Sequence, residues 1–196
     1  SPRWTYHIPK DAPGARGSHM LSIVDLDEDG IDELMWGERL ISLDDGTELF
    51  CADQASYHGH SDIVQPTRDP ETGQWYIYTI RESDAEVSPR VALFSHQGER
   101  IWGAVDVGHM DMGWTARLGD NYRMLASAIR IGHKVSGPSG RFHDGMTEFT
   151  FDALGGQSID LGYSTYRTMP VDLNGDGYLD LVRGRASGNG EVLNRH

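Results

Sequence analysis

Asp25-Leu26-Asp27-Glu28-Asp29-Gly30-Ile31-Asp32-Glu33 and Asp172-Leu173-Asn174-Gly175-Asp176-Gly177-Tyr178-Leu179-Asp180 repeat one pattern. The first reads D-x-D-x-D-G-x-x-E and the second D-x-N-x-D-G-x-x-D. Alternate oxygen-bearing side chains on a tight loop converge on one point. The glycine permits a positive-φ turn, and the ninth residue closes the shell. Hard oxygen donors in such a loop suit calcium. Asp25, Asp27, Asp29 and Glu33 are therefore predicted to form one structural Ca2+ site, and Asp172, Asn174, Asp176 and Asp180 a second. Strand-like rather than helical sequence flanks both loops, which sets them apart from EF-hands.

Working outward, each loop sits inside a longer repeat. Hairpins are predicted over 19–37, 60–82, 109–133 and 166–184, each opening on His19, His60, His109 or Tyr166. A second pair of strand-like runs follows: Arg39–Leu43 with Thr47–Cys51, Arg90–Ser95 with Arg100–Val105, and Thr147–Asp152 with Gln157–Leu161. The Asp-Gly and Gln-Gly junctions between them are hairpin signals. Repeated sets of four short strands point to an all-β chain, a β-propeller of four-stranded antiparallel blades. The alternative is a β-sandwich. About four blades are visible over 1–196, read as a single propeller domain or part of one, in a larger ring of seven or eight. Trp4–Ile8 reads as the last strand of an earlier blade. The turns around Asp69-Pro70-Glu71 and Gly119-Asp120-Asn121 lack most ligands, so no calcium is expected there.

The chain has 196 residues and 38% hydrophobic content, enough for a core. Seventeen basic residues stand against 30 acidic ones, a net charge of −13, which argues against a nucleic-acid partner. No apolar run approaches the roughly 18 residues of a membrane span. Ser1–Lys10 has no signal-peptide core. The single cysteine, Cys51, excludes an internal disulfide framework.

The repeat also brings particular residues to one rim, because each first strand leaves that face and each second strand returns to it. The predicted rim pairs are His19 with Trp36, His60 with Arg81, His109 with His133, and Tyr166 with Arg183. Such a patch on an acidic protein suits a carboxylated or sulfated ligand.

The segments GSHMLSIVDLDEDGIDELMWG (17–37), GHSDIVQPTRDP (59–70) and GERIWGAVDVGHMDMGWTARLG (98–119) resemble the propeller polysaccharide lyases of the rhamnogalacturonan lyase and ulvan lyase types. The resemblance implies a secreted or periplasmic enzyme. It would cleave a rhamnose- and uronate-containing polymer by β-elimination, with an acidic polysaccharide as partner and the remaining blades of the same propeller beside it. The ulvan type uses two His, a Tyr and an Arg, which His109, His133, Tyr166 and Arg183 match as the expected catalytic set. Arg183 would neutralise the uronate carboxylate, and His109 and Tyr166 would share the base and acid roles. His19, His60, Arg81 and Arg117 are expected to grip neighbouring sugars or sulfates.

Two other readings stand beside it. One is a non-catalytic, calcium-stabilised propeller that binds carbohydrate or protein. The other is a hydrolase, which needs two carboxylates facing one groove. Asp62 and Asp111, each two residues after a rim histidine, are its candidates.

Overall fold

A computed structural model describes residues 2–82, 88–118, 124–132, 134–137, 140–143, 145–184 and 191–193. Every regular element among them is a strand. The first sheet is a meander of β2 (Leu21–Val24), β3 (Glu33–Trp36), β4 (Arg39–Ser42) and β5 (Glu48–Cys51). The second runs β6 (His60–Arg68), β7 (Trp75–Arg81), β8 (Val91–Ser95) and β9 (Arg100–Ala104). The short β1 (Gly17–Ser18) joins its edge in parallel with β6. The third sheet orders β10 (His109–Ala116), β11 (Leu125–Ile131) and β14 (Met146–Asp152), and a hairpin of β12 (Lys134–Gly137) with β13 (Gly140–His143) interrupts it. The fourth holds β15 (Thr168–Val171), β16 (Asp180–Arg183) and β17 (Glu191–Leu193).

All four predicted hairpins are antiparallel pairs: β2–β3, β6–β7, β10–β11 and β15–β16. Two details differ from the sequence reading. Gln157–Leu161 is reduced to a bridge, Phe151 to Ser158, flanked by a bond from the Ile159 amide to the Thr150 carbonyl. Trp4–Ile8 forms no strand. It lies along the first sheet, with Trp4 Nε1 donating to the Leu43 carbonyl at 3.1 Å and Tyr6 bound to Glu48.

The sheets pack face to face in chain order, which explains their apolar runs. Strands buried on both faces lose the polar alternation of a one-sided sheet. Leu26, Met35, Leu40, Val64, Ile77, Ala92 and Phe94 fill the space between the first and second sheets. Tyr78, Ile80, Val91, Leu93, Met110, Ala126, Ala128 and Phe151 fill the next. Trp114, Ala116, Leu118, Leu125 and Leu181 fill the last. Alternate residues of β7 and β8 thus serve different cores. The leading strands of successive sheets touch: β2 meets β6, β6 meets β10, and β10 meets β15. Between β6 and β10 the Gln65 amide both donates to the Thr115 carbonyl, at 3.0 Å, and accepts from the Thr115 amide, at 2.9 Å.

One charged group lies in the first of these interfaces. Arg81, expected on the rim as a sugar-gripping residue, is fully buried. It donates to both carboxylate oxygens of Glu38 at 2.8 and 2.6 Å, to Asp53 at 2.7 Å and to the Pro89 carbonyl at 2.9 Å. Its guanidinium also lies 4.1 Å from the centre of the Tyr57 ring. Burial opposes its charge, but the bonds to Glu38 and Asp53 outweigh that and raise its pKa. Removing one partner of a buried pair strands the other charge. Glu38→Ala should therefore destabilise the fold by about 3–5 kcal/mol, read as a lower urea midpoint with little change in slope; a midpoint equal to that of the wild type would contradict this account.

Candidate functional site

His60 and His109 open β6 and β10, His19 lies between β1 and β2, and the structure brings the three together. The rings of His19 and His60 stack at 5.0 Å between centroids. Glu82 is the hub: His60 Nε2 is paired with it, His109 Nε2 lies at 3.1 Å and His19 Nε2 at 3.4 Å. His109 Nε2 is also 2.9 Å from Asp111, and His19 Nδ1 is 3.7 Å from Asp62.

The two aspartates arrive by the same local device. Register shifts fall between Ser61 and Ile63 on β6 and between Met110 and Met112 on β10, so Asp62 and Asp111 are the extra residues of equivalent β-bulges. A bulge re-aims a side chain and reverses the in-out parity beyond it. Accordingly Met110 faces the second sheet, while Trp114 and Ala116, also even-numbered, face the fourth.

Three carboxyl groups this close oppose one another's ionisation. Burial, and then the carboxylates of Glu82 and Asp111, push Asp62 up to about 8. Burial also acts to raise Glu82, but hydrogen bonds from His60 and Asp62 outweigh it and hold Glu82 below the usual carboxylate range. The Asp62 proton thus serves Glu82. Asp62 Oδ1 is buried and accepts no hydrogen bond among the described residues, so it has coordinating capacity left over.

Two overlapping groups could hold a metal ion: His19, His60, Asp62 and Glu82, and Glu82, His109 and Asp111. Within each group one donor atom per residue lies within 4.8 Å of the others. Mixed imidazole and carboxylate donors suit manganese, iron or zinc better than calcium.

The remaining predicted residues divide between the two ends of the strands. Tyr166 and Arg183 lie at the histidine end, joined through Ser164: its hydroxyl accepts from the Tyr166 amide at 3.2 Å, and its carbonyl accepts from Arg183. Arg183 therefore braces the turn before β15. A cleft of about 160 Å³ separates this segment from the histidines, with Asp111 on one wall and Arg167 on the other. Arg167, missed in the sequence, is exposed, has φ +55°, and lies 5.1 Å from the centre of the Tyr166 ring. His133 lies outside the described residues. Arg117 does not belong here. It stands at the far end of β10, about 26 Å along the strand from His109, stacked 4.5 Å from the centre of the Tyr178 ring.

That far end carries the acidic loops. The Asp25, Asp27 and Asp29 oxygens lie within 4.8 Å of one another. Asp25 accepts from the amides of Asp29 and Gly30 at 3.0 and 2.9 Å, and Asp172 accepts from Gly175 and Gly177 at 2.6 and 3.1 Å. The ninth residues also match: Glu33 accepts from the Leu26 amide and Asp180 from Leu173. Left-handed backbone recurs at loop positions four and six, Glu28 with Gly30 and Gly175 with Gly177. The Asp69 turn bonds to the Glu71 amide and Thr72 hydroxyl instead. The turn at 119–121 lies outside the described residues.

An all-β stack with a histidine–carboxylate cluster at one end and acidic loops at the other is the class defined so far. Residues 1–127 match the family described as "Rhamnogalacturonan lyase family 11, C-terminal domain", and the chain belongs to that family. It is 26% identical over 165 residues to rhamnogalacturonan exolyase YesX of Bacillus subtilis (strain 168), covering 81% of this chain and 24% of YesX. The solved structure of rhamnogalacturonan lyase YesW superposes with a TM-score of 0.62 at 17% identity, over 91% of this chain and 28% of that one. The structure of exotype rhamnogalacturonan lyase YesX gives 0.58 at 22% identity, over 92% and 30%. The chain thus spans 24–30% of the length of these relatives.

Asp62 keeps in the fold a proton that the unfolded chain loses near pH 4. A raised acid contributes stability that is fully present below the unfolded pKa and is lost as pH rises to the folded value, here about 8. In metal-free protein, Asp62→Asn should therefore gain in urea midpoint relative to the wild type as pH rises through that interval. Parallel pH profiles for the two proteins would remove the proton from Asp62.

Proposed function

We propose that the chain forms part of the active cleft of a polysaccharide lyase that cuts rhamnogalacturonan by β-elimination at galacturonate. The observation that carries this is the cluster of three histidines and three carboxyl groups in a chain of the rhamnogalacturonan lyase family. The relatives favour rhamnogalacturonan over ulvan, and an enzyme over a purely binding propeller.

Elimination removes the C5 proton of the uronate, which becomes acidic once the adjacent carboxylate is neutralised. A divalent cation held by His19, His60, Asp62 and Glu82 would supply that positive charge. Arg167 adds a second positive group on the facing wall of the cleft. His109, with Asp111 at 2.9 Å to stabilise its imidazolium, is the base. Tyr166 is the group assigned to protonate the departing O4. Arg183 positions both Tyr166 and Arg167 by holding the Ser164 carbonyl. A hydrolase using Asp62 and Asp111 is less favoured, because both carboxyls are tied into the histidine cluster.

In this reading the successive sheets are blades of a β-propeller, with β2, β6, β10 and β15 around its axis and the cleft over one end. The contacts between those leading strands support it. The remaining blades of a longer protein would complete the ring. The two acidic loops hold structural calcium at the opposite end. The protein acts outside the cytoplasm, in the periplasm or as a secreted enzyme, where so large a polymer is found.

Two experiments test this. The full-length protein should release unsaturated uronate, seen by its ultraviolet absorbance, from rhamnogalacturonan. His109→Ala and Tyr166→Phe should each cost at least about a hundredfold in kcat. A folded Tyr166→Phe protein at the wild-type rate would dismiss that residue, and absence of unsaturated product would dismiss the lyase. Excess chelator should lower the melting temperature and added calcium restore it, because an ion that binds only the native state stabilises it. A melting curve indifferent to both would remove the calcium sites.

A further inference from the structure

Trp36 ends β3 with 37% of its surface exposed, yet its indole is held in place. Its Nε1 donates to the Arg16 carbonyl at 3.3 Å. Gly17, at φ +147°, passes directly against the ring: a Cβ there would come within 2.9 Å of Nε1. Gly37, at φ +63°, lies against the Gly17 backbone, where a Cβ would meet the Gly17 carbonyl oxygen at 2.5 Å. Gly17, in a conformation unsuited to other residues and backed by Gly37, thus leaves room for a half-exposed indole.

That face is one wall of a cleft of about 290 Å³ whose other walls are Tyr6, His7, Ile8 and Arg16. The Tyr6 hydroxyl is already bound to Glu48, so the ring is what Tyr6 offers the cleft. Arg16 donates from Nη1 to the Pro9 carbonyl at 3.1 Å. No ion pair joins it to a carboxylate among the described residues, in a chain of net charge −13. The volume lies at the small end of the range for ligand pockets, about 300–1,000 Å³.

An apolar ring face and a guanidinium without an ion pair among the described residues, lining one cleft, match a pyranose that carries a carboxylate. The C–H face of such a sugar would lie on the indole, and the arginine fork would take its carboxylate oxygens. Position agrees with chemistry. Arg16 and His19 are three residues apart, at most about 11 Å along the chain, and the intervening β1 pairs with His60 and Ser61. The cleft is thus next to the histidine–carboxylate cluster.

We infer that this cleft is a subsite that binds a galacturonate unit of the polymer one or a few sugars away from the cleaved bond, with Trp36 and Arg16 as its specificity residues. The identity of the polymer rests on the proposed function; the cleft itself does not.

The test uses full-length protein and a rhamnogalacturonan oligosaccharide of several repeats. Trp36→Ala and Arg16→Gln should each raise KM about tenfold, the effect of one lost contact of about 1.4 kcal/mol, with the loss falling on KM more than on kcat. Trp36→Phe keeps an aromatic face and should lose less than about threefold. Unchanged KM in both Trp36→Ala and Arg16→Gln overturns the subsite; because Arg16 is exposed, its substitution reports even if Trp36→Ala does not fold. If the wild type releases no unsaturated product, the lyase reading fails, and calorimetric titration with the same oligosaccharide decides the subsite. Binding that weakens about tenfold in Arg16→Gln supports it. Equal binding, or no binding by the wild type, overturns it.

Discussion

The guanidinium of Arg81, sealed between the first and second sheets, sets the direction in which β7 faces. Strand side chains alternate, so fixing one fixes the rest. With Arg81 held by Glu38 and Asp53, Ile77 and Thr79 also face the first sheet, and Tyr78 and Ile80 face the third. Glu82, the next residue, then emerges where His60 and His109 can reach it. The charge could not be buried alone, and it is not: four oxygens and the Tyr57 ring surround it. The same ion pair that fastens two sheets together thus delivers the hub of the candidate site.

The site is otherwise built by repetition with small departures. Two strands of the same design each begin H-x-D, and each bulges at the aspartate. The bulge directs the carboxyl group toward the histidines of neighbouring strands, and it re-phases the strand beyond it, so that Gln65 on β6 meets the third sheet and Trp114 and Ala116 on β10 meet the fourth. Local irregularity and core packing are therefore one feature. Bringing three acids together in a buried place pushes Asp62 up to about 8, so that its carboxyl group can donate to Glu82.

The strands also separate two kinds of acidic chemistry. At their far ends, loop carboxylates accept bonds from their own backbone amides and present oxygen alone. At their near ends, carboxylates meet imidazoles contributed by different sheets. Arg16 and Arg167, which have no carboxylate partner among the described residues, stand at the near end too. On a chain of net charge −13 this distribution concentrates positive charge at the near end.

The all-β class, the four hairpins and the two acidic loops were all legible in the sequence, because each rests on contacts within about thirty residues: strand alternation, glycine turns and ligand spacing. So was the gathering of His19, His60 and His109, since each opens its repeat. The faces of individual residues were not. Reading the repeat placed Arg81 opposite His60, but the register pairs Ser61 with Arg81 and a bulge follows, so Glu82 takes that place. Arg117 seemed available to substrate until the length of β10 carried it to the loop end. Glu82, Arg167 and the Trp36 cleft depend on how separate sheets meet, and no local pattern encodes that. The sequence by itself determined the strands and turns, through interactions between near neighbours. Only the tertiary structure decided which charges are buried and which converge, because that depends on register and on the packing of one sheet against the next.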